Sequence, residues 1–529
     1  MTTAIAPFRS GLPVGRDGFA QLLRAEFTKF RTVRSWVITL GVTAVLIVVF
    51  AWLGSQVHSS VCTSSRPNTP PNCLPSVLPR VPAGPGGEPV VDAFSFLHQP
   101  LTGNGSLTAQ VTSLTEVTAS GNDAGTGSGS GPRTSVPWAK AGLIIKANTT
   151  QGSAYAAVMV TPGHGVRMQY NYIHDTAGLP GAVSASSPRW LRLTRAGDVL
   201  TGYDSLDGSH WAKIGTAHLT GLTGRVQAGL FATSPAADPG AHGSSPTLAT
   251  ATLEQVQLAG DFPSSRWSSR VAGATPQTYL TQPTGPGWFR QSGGRFTISG
   301  SGDIAPQVAG GPLGGLGDTT SLLAGGVFGL IPVIVLATLF ITSEYRRGLI
   351  RTTLTASPRR GRALAAKAVV IGSVTFAAAC IATAAAEAIS RHVLTANGNY
   401  VFPLSTLAGA RVALGTGLVF AIAAVLVLAV GTILRRSAGA VAAGIVLLVL
   451  PFILGANPSS SSTDWLMRVS PTAAFAVQGT APRFAQVGNA YTMANGYYPL
   501  GPWAGLAVLG GYAAVAFGVA LGLIRRRDV

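Results

Sequence analysis

Residues 341–368 hold the side chains whose types and spacing could do chemistry: seven basic residues and one acid, Glu344, between two long apolar runs. The amphipathic stretch RGLIRTTLTA follows Glu344 and predicts a short helix with an apolar face. Such a face can fill an apolar groove in a partner protein. The residues of this candidate docking segment are Glu344, Arg346, Arg347, Leu349, Ile350, Leu354, Arg359 and Arg360. A loop that only marks one side of a membrane is the alternative; it explains the arginines but not Glu344 or the apolar face.

The sequence lacks the short motifs that place nucleotide, metal or acyl chemistry on a chain. GxxxxGK[ST], HExxH, CxxC and GxSxG are all absent. We therefore expect no catalytic residue, no metal ligand and no cofactor here. If the protein does energised work, the nucleotide chemistry lies on another chain.

The apolar runs on either side of the docking segment belong to a set of six. The chain of 529 residues is 47% hydrophobic and 11% charged, a balance that is rare in a water-soluble protein of this size. Runs near 20 residues with almost no charge can cross a hydrocarbon core of ~30 Å. These runs cover residues 35–54, 321–343, 366–389, 407–434, 438–456 and 503–524. The first run has no small-residue cleavage pattern after it, so we expect it to remain as an anchor.

Basic residues indicate which side of a membrane the short loops face. Segments 1–34, 344–365 with Lys367, 435–437 and 525–529 hold 18 Lys and Arg against four acids, and so carry +14 of the chain's +18. We expect these segments in the cytoplasm, with residues 55–320 and the loop 457–502 outside. Charge spread over short loops beside lipid headgroups excludes nucleic acid as the reason for the high pI. Arginine outnumbers lysine 32 to 5, a usage typical of GC-rich bacterial genomes, so we expect a bacterial plasma membrane.

The N-terminal segment, residues 16–34, predicts an amphipathic helix that leads into the first apolar run. Its apolar side chains recur at helical spacing, and its basic residues lie mostly elsewhere. The apolar face consists of Phe19, Leu22, Leu23, Phe27 and Phe30. A generic anchor flank is the alternative interpretation.

Residues 55–90 are rich in Pro, Ser and Gly, which predicts an extended linker. Cys62 and Cys73 lie in this linker, in the compartment that we expect to be oxidising. We therefore predict a disulfide between them.

Residues 91–310 change to short alternating or β-branched runs separated by Gly, Pro, Asp and Asn, which predicts an all-β sandwich. The stretch DSLDGSHW supplies a turn that carries Asp204 and Asp207. These carboxylates could meet a ligand or Ca²⁺, although a DG-type turn explains them equally well. We expect Trp138, Trp190 and Trp211 to pack within the domain and not to stack on a sugar.

Several stretches together resemble the permease subunits of bacterial ABC exporters of the second type, particularly actinobacterial ones. The stretches are LLRAEFTKFRTVRSW, TSEYRRGLIRTTLTASPRRGRALAAKA, RVSPTAAF and LGLIRRRDV, and the resemblance covers about half the chain. It implies an elbow helix near residues 19–31 and a coupling helix near residues 344–362 that docks into a cytoplasmic ATPase. It also implies two ATPase subunits, which bind ATP and Mg²⁺, and a second permease subunit, identical or paralogous.

The large outer segment departs from that resemblance, in which the first external loop is short. Its stretches WAKAGLIIKA, GVRMQYNY, PRWLRLTRAGDVLTGYDSLDGSHW and GLFATSP look like a concanavalin A-like lectin/glucanase sandwich, also called laminin-G-like. Many such domains bind sugars and many only pack, so a cell-envelope glycan, a protein or the cargo are all candidate partners.

The expected fold is thus an α-helical polytopic membrane protein with six transmembrane helices and an inserted jelly-roll domain. The expected function is that of an exporter permease, not an enzyme, with an unidentified substrate. A membrane-anchored glycan-binding or sensor protein is the alternative, although it needs one anchor and not six. An ion-coupled transporter would need acidic or His residues deep in the spans, which are nearly lacking.

Overall fold

The computed structural model shows an all-β domain inserted between the first and second long apolar helices of an otherwise helical chain. This confirms the coarse prediction of a β domain among apolar helices. The structure describes residues 18–56, 60–63, 72–75, 81–118, 135–222, 224–240, 243–245, 247–263, 266–272, 288–308, 316–317, 321–346, 360–397, 399–455, 464–488, 491, 493 and 496–526.

Six helical stretches in the described part of the chain are long and apolar enough to cross a membrane. The described α-helices are α1 (Phe19–Thr32), α2 (Arg34–Ser55), α3 (Val327–Arg346), α4 (Arg360–Ala396), α5 (Thr406–Leu434), α6 (Ser437–Leu448), α7 (Leu450–Gly455), α8 (Asp464–Val469) and α9 (Pro502–Arg526), with 3-10 segments at Ser321–Gly326 and Pro471–Gln478. The six stretches are α2, α3, α4, α5, the joined α6 and α7, and α9.

The helices depart from the apolar runs in three places. The run predicted over residues 321–343 begins as the 3-10 segment Ser321–Gly326, and α3 starts only at Val327. Helix α4 extends beyond the predicted run 366–389 at both ends, because backbone hydrogen bonding continues through polar residues such as Arg391 and His392. The fifth stretch is interrupted at Val449, between α6 and α7. Pro451 lies two residues further on, in the first turn of α7, and its missing N–H removes a helical hydrogen bond at this point.

The helix ends meet in two groups at opposite ends of the bundle. At one end, Arg360 at the start of α4 donates from Nη1 to the Ile524 carbonyl of α9 at 3.1 Å. Arg435, which follows α5, lies 5.3 Å above the ring of Tyr345 in α3 at the same end. At the other end, Asn397 after α4 donates from Nδ2 to the Ser55 carbonyl of α2 at 3.3 Å.

The β domain is built on one large sheet. The strands of the chain are β1 (Ser60–Thr63), β2 (Asn72–Pro75), β3 (Val90–Asp92), β4 (Phe94–Thr118), β5 (Lys140–Lys146), β6 (Tyr155–Thr161), β7 (Gly165–Tyr170), β8 (His174–Ala177), β9 (Arg189–Ala196), β10 (Val199–Ser205), β11 (Ala212–His218), β12 (Arg225–Thr233), β13 (Ala237–Gly240), β14 (Gly243–Ser245), β15 (Thr247–Asp261), β16 (Ser268–Ala272), β17 (Phe289–Ser292), β18 (Arg295–Gly300), β19 (Ile304–Pro306), β20 (Leu316–Gly317) and β21 (Tyr400–Val401). Thirteen of them form this sheet, with the central order β11-β10-β9-β4-β12-β5-β6-β7-β8 and with β15 to β18 joined at its sides.

Strand β4 is 25 residues long and changes partners along its length. Its first part pairs with β12 and β16, and its later part pairs with β9 and β15. Gly103 lies at the changeover with a φ of +66°, a conformation that a side chain disfavours. The bend at this glycine lets one strand serve both halves of the curved sheet.

Strand β5 is buried on both faces, so its sequence KAGLIIK separates two cores. Leu143 and Ile145 pack into the large interior between the halves of the sheet. Ile144 packs on the opposite face with aromatic side chains such as Phe94 and Tyr155. Lys140 and Lys146 share that second face, because residues separated by an even number of positions point the same way in a strand.

These two lysines form ion pairs at β3 and β19, the first and last strands of the domain. Lys140 Nζ donates to Asp303 Oδ1 at 2.6 Å, and Lys146 Nζ donates to Asp92 Oδ2 at 2.7 Å. Asp92 ends β3, Asp303 precedes β19, and the two strands pair antiparallel. Burial lowers the pKa of Lys146, and the neighbouring Asp92 carboxylate opposes that shift. The first and last strands of the domain are therefore held side by side.

Candidate functional site

Helix α1 lies against the end of the bundle where α3 ends and α4 begins. It starts after Gly18 and stops at Val33, whose extended backbone separates it from α2. Lys29 and Arg31 in its last turn complement the helix dipole. The predicted apolar face is divided in the structure: Phe30 is buried, Leu22 and Leu23 are half-buried, and Phe19 and Phe27 are exposed.

A cluster of four charged side chains, three of them buried, joins α1 to α3 and α4. Lys367 Nζ donates to Glu26 Oε1 and to Glu344 Oε1, at 2.6 Å each. Lys29 Nζ also donates to Glu344 Oε1. Glu344 and Lys367 are 1% and 2% exposed, and Glu26 is 7% exposed. We call these four residues the elbow cluster.

Aromatic rings line the side of the elbow cluster that faces the core. Lys367 Nζ lies 5.4 Å from the centroid of the Phe340 ring, a distance at which a cation is attracted to a ring face. Phe340 in turn meets Trp36 and Phe30 edge-on, with centroids 5.0 Å and 6.3 Å apart. The first turn of α2 is thereby packed into the same unit.

The elbow cluster is neutral in total but not fully hydrogen-bonded. Its two carboxylates and two ammonium groups balance, which offsets part of the cost of removing them from water. Among the described residues, Glu26 Oε2 and Glu344 Oε2 have no hydrogen-bond partner. Lys367 and Glu344 each contact two partners. Removal of the charge on either of these two residues would therefore leave one charge of the cluster uncompensated.

The elbow cluster lies next to the predicted docking segment in the chain and shares one residue with it, Glu344. Glu344 lies near the end of α3, and Arg360 begins α4. Residues 347–359 lie outside the described residues, and with them Arg347, Leu349, Ile350, Leu354 and Arg359; the side chain of Arg346 does too. The described partners of Glu344 are Lys29 and Lys367, neither of which belongs to the predicted docking segment.

Glu26, Lys29 and Lys367 form the part of the site that the sequence predictions did not include. Glu26 lies three residues after Leu23 and four before Phe30, so it shares their helical face. Lys367 lies within the apolar part of α4. An acid on an apolar helix face and a lysine among apolar residues each require a buried partner. The sequence thus indicates that both residues are paired, but not with which residue.

The two carboxylates of the predicted ligand turn face different surroundings. Asp204 is buried in β10, where its Oδ2 accepts a hydrogen bond from Leu179 N at 2.6 Å; burial raises the pKa of this carboxyl. Asp207 is exposed and accepts hydrogen bonds from Ser209 N and His210 N at 2.8 Å each. A side-chain hydrogen bond with His210 lowers the Asp207 pKa and raises that of His210. The structure does not bring the two carboxylates together.

No group of three or more His, Cys, Asp or Glu side chains is placed to hold a metal ion within the described ranges. The three tryptophans that we expected to pack within the domain each contact a neighbouring group. Trp138 stacks on His164 with centroids 3.9 Å apart, and Arg192 lies 3.9 Å above the Trp211 ring. Trp190 packs against Gly208, where the turn has a φ of +77°.

Cys62 and Cys73 lie opposite each other in the antiparallel pair β1–β2, in a stretch predicted to be an extended linker. Cα atoms of directly opposed residues in such a pair are ~4.5–5.5 Å apart, a separation that a disulfide can bridge. Their side chains lie outside the described residues, so the disulfide stays a prediction.

No family model matches the chain, and no curated protein matches its sequence. Among solved structures, a functionally unknown protein from Saccharomyces cerevisiae is 15% identical and aligns over 31% of this chain and 74% of its own length, with a TM-score of 0.19. Scytalido-glutamic peptidase with a transition state analog inhibitor is 7% identical over 39% of this chain and 98% of its own, with a TM-score of 0.24. The same peptidase with a peptide-based analog covers 40% and 98% at 7% identity, with a TM-score of 0.23. Likenesses with such low TM-scores carry no functional argument.

Proposed function

We propose that this chain is the membrane-spanning permease subunit of an ABC exporter. It moves a substrate outward with ATP hydrolysed by two copies of a separate cytoplasmic ATPase subunit. It works together with a second permease subunit, identical or paralogous, in a bacterial plasma membrane. The outer domain, a concanavalin A-like sandwich, covers the exit side.

The observation that carries this proposal is the elbow cluster. It ties an amphipathic helix to the two apolar helices on either side of residues 347–359. A force applied to that segment would thus reach α1, α3 and α4 together. An anchor for an outer domain needs no such connection, whereas a subunit driven by a partner does.

The grouping of helix ends supports the same proposal. Helix α1, the start of α4 and the ends of α3 and α9 lie at one end of the bundle. These are the segments in which the sequence concentrates its positive charge. Such an end would face the cytoplasm, where an ATPase could reach it.

The decisive experiment is to purify the tagged chain from its native membranes and to identify the subunits that remain bound. We expect an ATPase subunit with a phosphate-binding loop. If no ATPase accompanies the chain and the chain is retained on immobilised cell-envelope glycan, the proposal fails and the sensor alternative replaces it.

The isolated complex also permits a test of the docking segment. Leu349→Asp should lower substrate-linked ATP turnover by about tenfold, because that factor corresponds to the loss of about 1.4 kcal/mol of contact energy. The matched control is Thr355→Asp, which a helix through the segment would place on the opposite face. Equal turnover in the two variants would contradict a docking role for the apolar face.

A further inference from the structure

A cavity of ≈ 310 Å³ lies between the outer domain and two segments at the outer end of the helical bundle. The domain contributes Glu88, Pro89 and Gln307 to its wall. The bundle contributes residues 402–404, before α5, and residues 480–482 with Phe484, after the second 3-10 segment. The volume lies at the lower end of the range for small-molecule sites.

Two side-chain oxygens on the domain side of the cavity have no hydrogen-bond partner among the described residues. Gln307 is 1% exposed, and its Oε1 has no hydrogen-bond partner among the described residues. Glu88 is half-buried, and its Oε1, which is itself shielded from water, also has no hydrogen-bond partner in the part of the chain that the structure describes. Gln307 N donates to the Pro89 carbonyl at 2.8 Å, so these two acceptors come from neighbouring positions of one antiparallel pair.

The backbone before Glu88 forms a turn that lies close to the Glu88 carboxylate. Gly84 N donates to the Glu88 carbonyl at 2.7 Å and Gly87 N donates to the Gly84 carbonyl at 2.9 Å, which closes a tight turn. A Cβ atom at Gly84 or Gly86 would collide with the Glu88 carboxylate. Two glycines therefore give this carboxylate room to fold back beside the cavity.

The remaining wall of the cavity is largely apolar and includes Pro306, Phe402, Leu404 and Phe484. A carboxylate oxygen that is shielded from water and has no hydrogen-bond partner is costly, and a cation that donates hydrogen bonds removes that cost. A divalent metal would need more carboxylates than the single one here. An ammonium group instead offers three donors, and an apolar body attached to it would fill the rest.

We propose that this cavity binds an amphipathic organic cation, a small molecule with a protonated amine at Glu88 and Gln307 and an apolar body against Phe402, Leu404 and Phe484. The binding itself stands on the geometry of the cavity. That the bound molecule is the exported substrate, held at the outer end of its path, rests on the proposed function.

The test measures binding to the purified full-length chain by titration calorimetry, against a blank of detergent alone. The probes are 2-(1-naphthyl)ethylammonium and the neutral 2-(1-naphthyl)ethanol, which differ only in the charged group. We expect the ammonium to bind at least about tenfold more tightly than the alcohol. Glu88→Gln should remove that preference, and Asp198→Asn, which neutralises an exposed carboxylate elsewhere on the domain, should keep it.

Two further variants separate the parts of the site. Gln307→Met removes the second acceptor at similar volume and should weaken the ammonium but not the alcohol, whereas Leu404→Trp should fill the cavity and weaken both. Equal affinities of the probes for the wild-type chain, no binding of either, or a preference that survives Glu88→Gln would overturn the proposal. None of these outcomes depends on an ATPase, so failure here leaves the co-purification result unaffected.

Discussion

Lys367 holds the contact between α1 and the bundle, because its single ammonium group bonds to carboxylates from two different helices. Lys29 reaches only Glu344 and is about one-third exposed. The contribution of Lys367 to stability should be the larger of the two because its ion pairs are buried, and a buried charge that loses its partner cannot be solvated by water.

Lys367→Met should therefore destabilise the protein by about 3–5 kcal/mol, because Glu26 and Glu344 would stay buried without their shared cation. Lys29→Met, the matched control, should cost about 1 kcal/mol or less, as is usual for exposed pairs. Denaturation of the purified full chain in detergent measures both. Similar losses in the two variants would show that the elbow cluster is not organised around Lys367.

Glu116 in β4 is half-buried, and burial raises the pKa of its carboxyl to about 7. Between the ordinary value of 4.5 and about 7, the folded chain holds a proton that the unfolded chain has released. Glu116 therefore makes the domain more stable as pH falls through about 7 and less stable as pH rises. Glu116→Gln should flatten the melting temperature between pH 5 and pH 8 relative to wild type, whereas the exposed Asp198→Asn should not. If the melting temperature of Glu116→Gln depended on pH as that of the wild type does, the raised pKa of Glu116 would be contradicted.

At the scale of elements, the apolar helices and the β domain could be predicted because hydropathy and strand alternation are local properties. The ends of α4 and the break at Val449 could not be placed, since they depend on backbone hydrogen bonding beyond the apolar run and on one proline. The pairing of Lys367 with Glu26 joins residues 341 positions apart, and local patterns carry no information on such a contact. The β1–β2 hairpin lies in a stretch whose Pro-rich composition predicts an extended linker.

The register of that hairpin sharpens the disulfide prediction. Protein purified without reductant should have an intact mass lower by two hydrogen atoms than the reduced protein, with the bond between Cys62 and Cys73. The bond would stabilise the hairpin by roughly 2–3 kcal/mol, because it lowers the conformational entropy of the unfolded chain. Cys380, in α4, serves as the internal control and should remain a thiol. Two free thiols at 62 and 73 in protein from oxidising medium would contradict the prediction.

The β domain has its own two cores, so residues 81–308 expressed alone should unfold in one cooperative transition. Ca²⁺ should leave the melting temperature unchanged, because Asp207 is already occupied by its own turn and by His210. A shift of several degrees with Ca²⁺ that Asp207→Ala removes would instead establish a cation site at the turn.

At the scale of the whole molecule, the two groups of helix ends and the distribution of charge predict one orientation. Single cysteines at Ser437 and Ser186, in a chain without native cysteines, should react differently with a membrane-impermeant thiol reagent. In intact cells we expect labelling only at 186, which is an exposed position on the outer domain. Ser205 would be unsuitable as the outer site because it is 1% exposed. Labelling at 437 and not at 186 would reverse the orientation.

The side-by-side pairing of β3 and β19 has a consequence for how such a protein can evolve. Helices α2 and α3 contact each other directly, with the rings of Phe50 and Phe328 stacked 4.7 Å apart, although the whole β domain separates them in the chain. Because the domain begins and ends at one point, its gene segment can be gained, lost or exchanged without altering the spacing of the helices. Selection can therefore change the surface of the β domain while the helical scaffold stays the same.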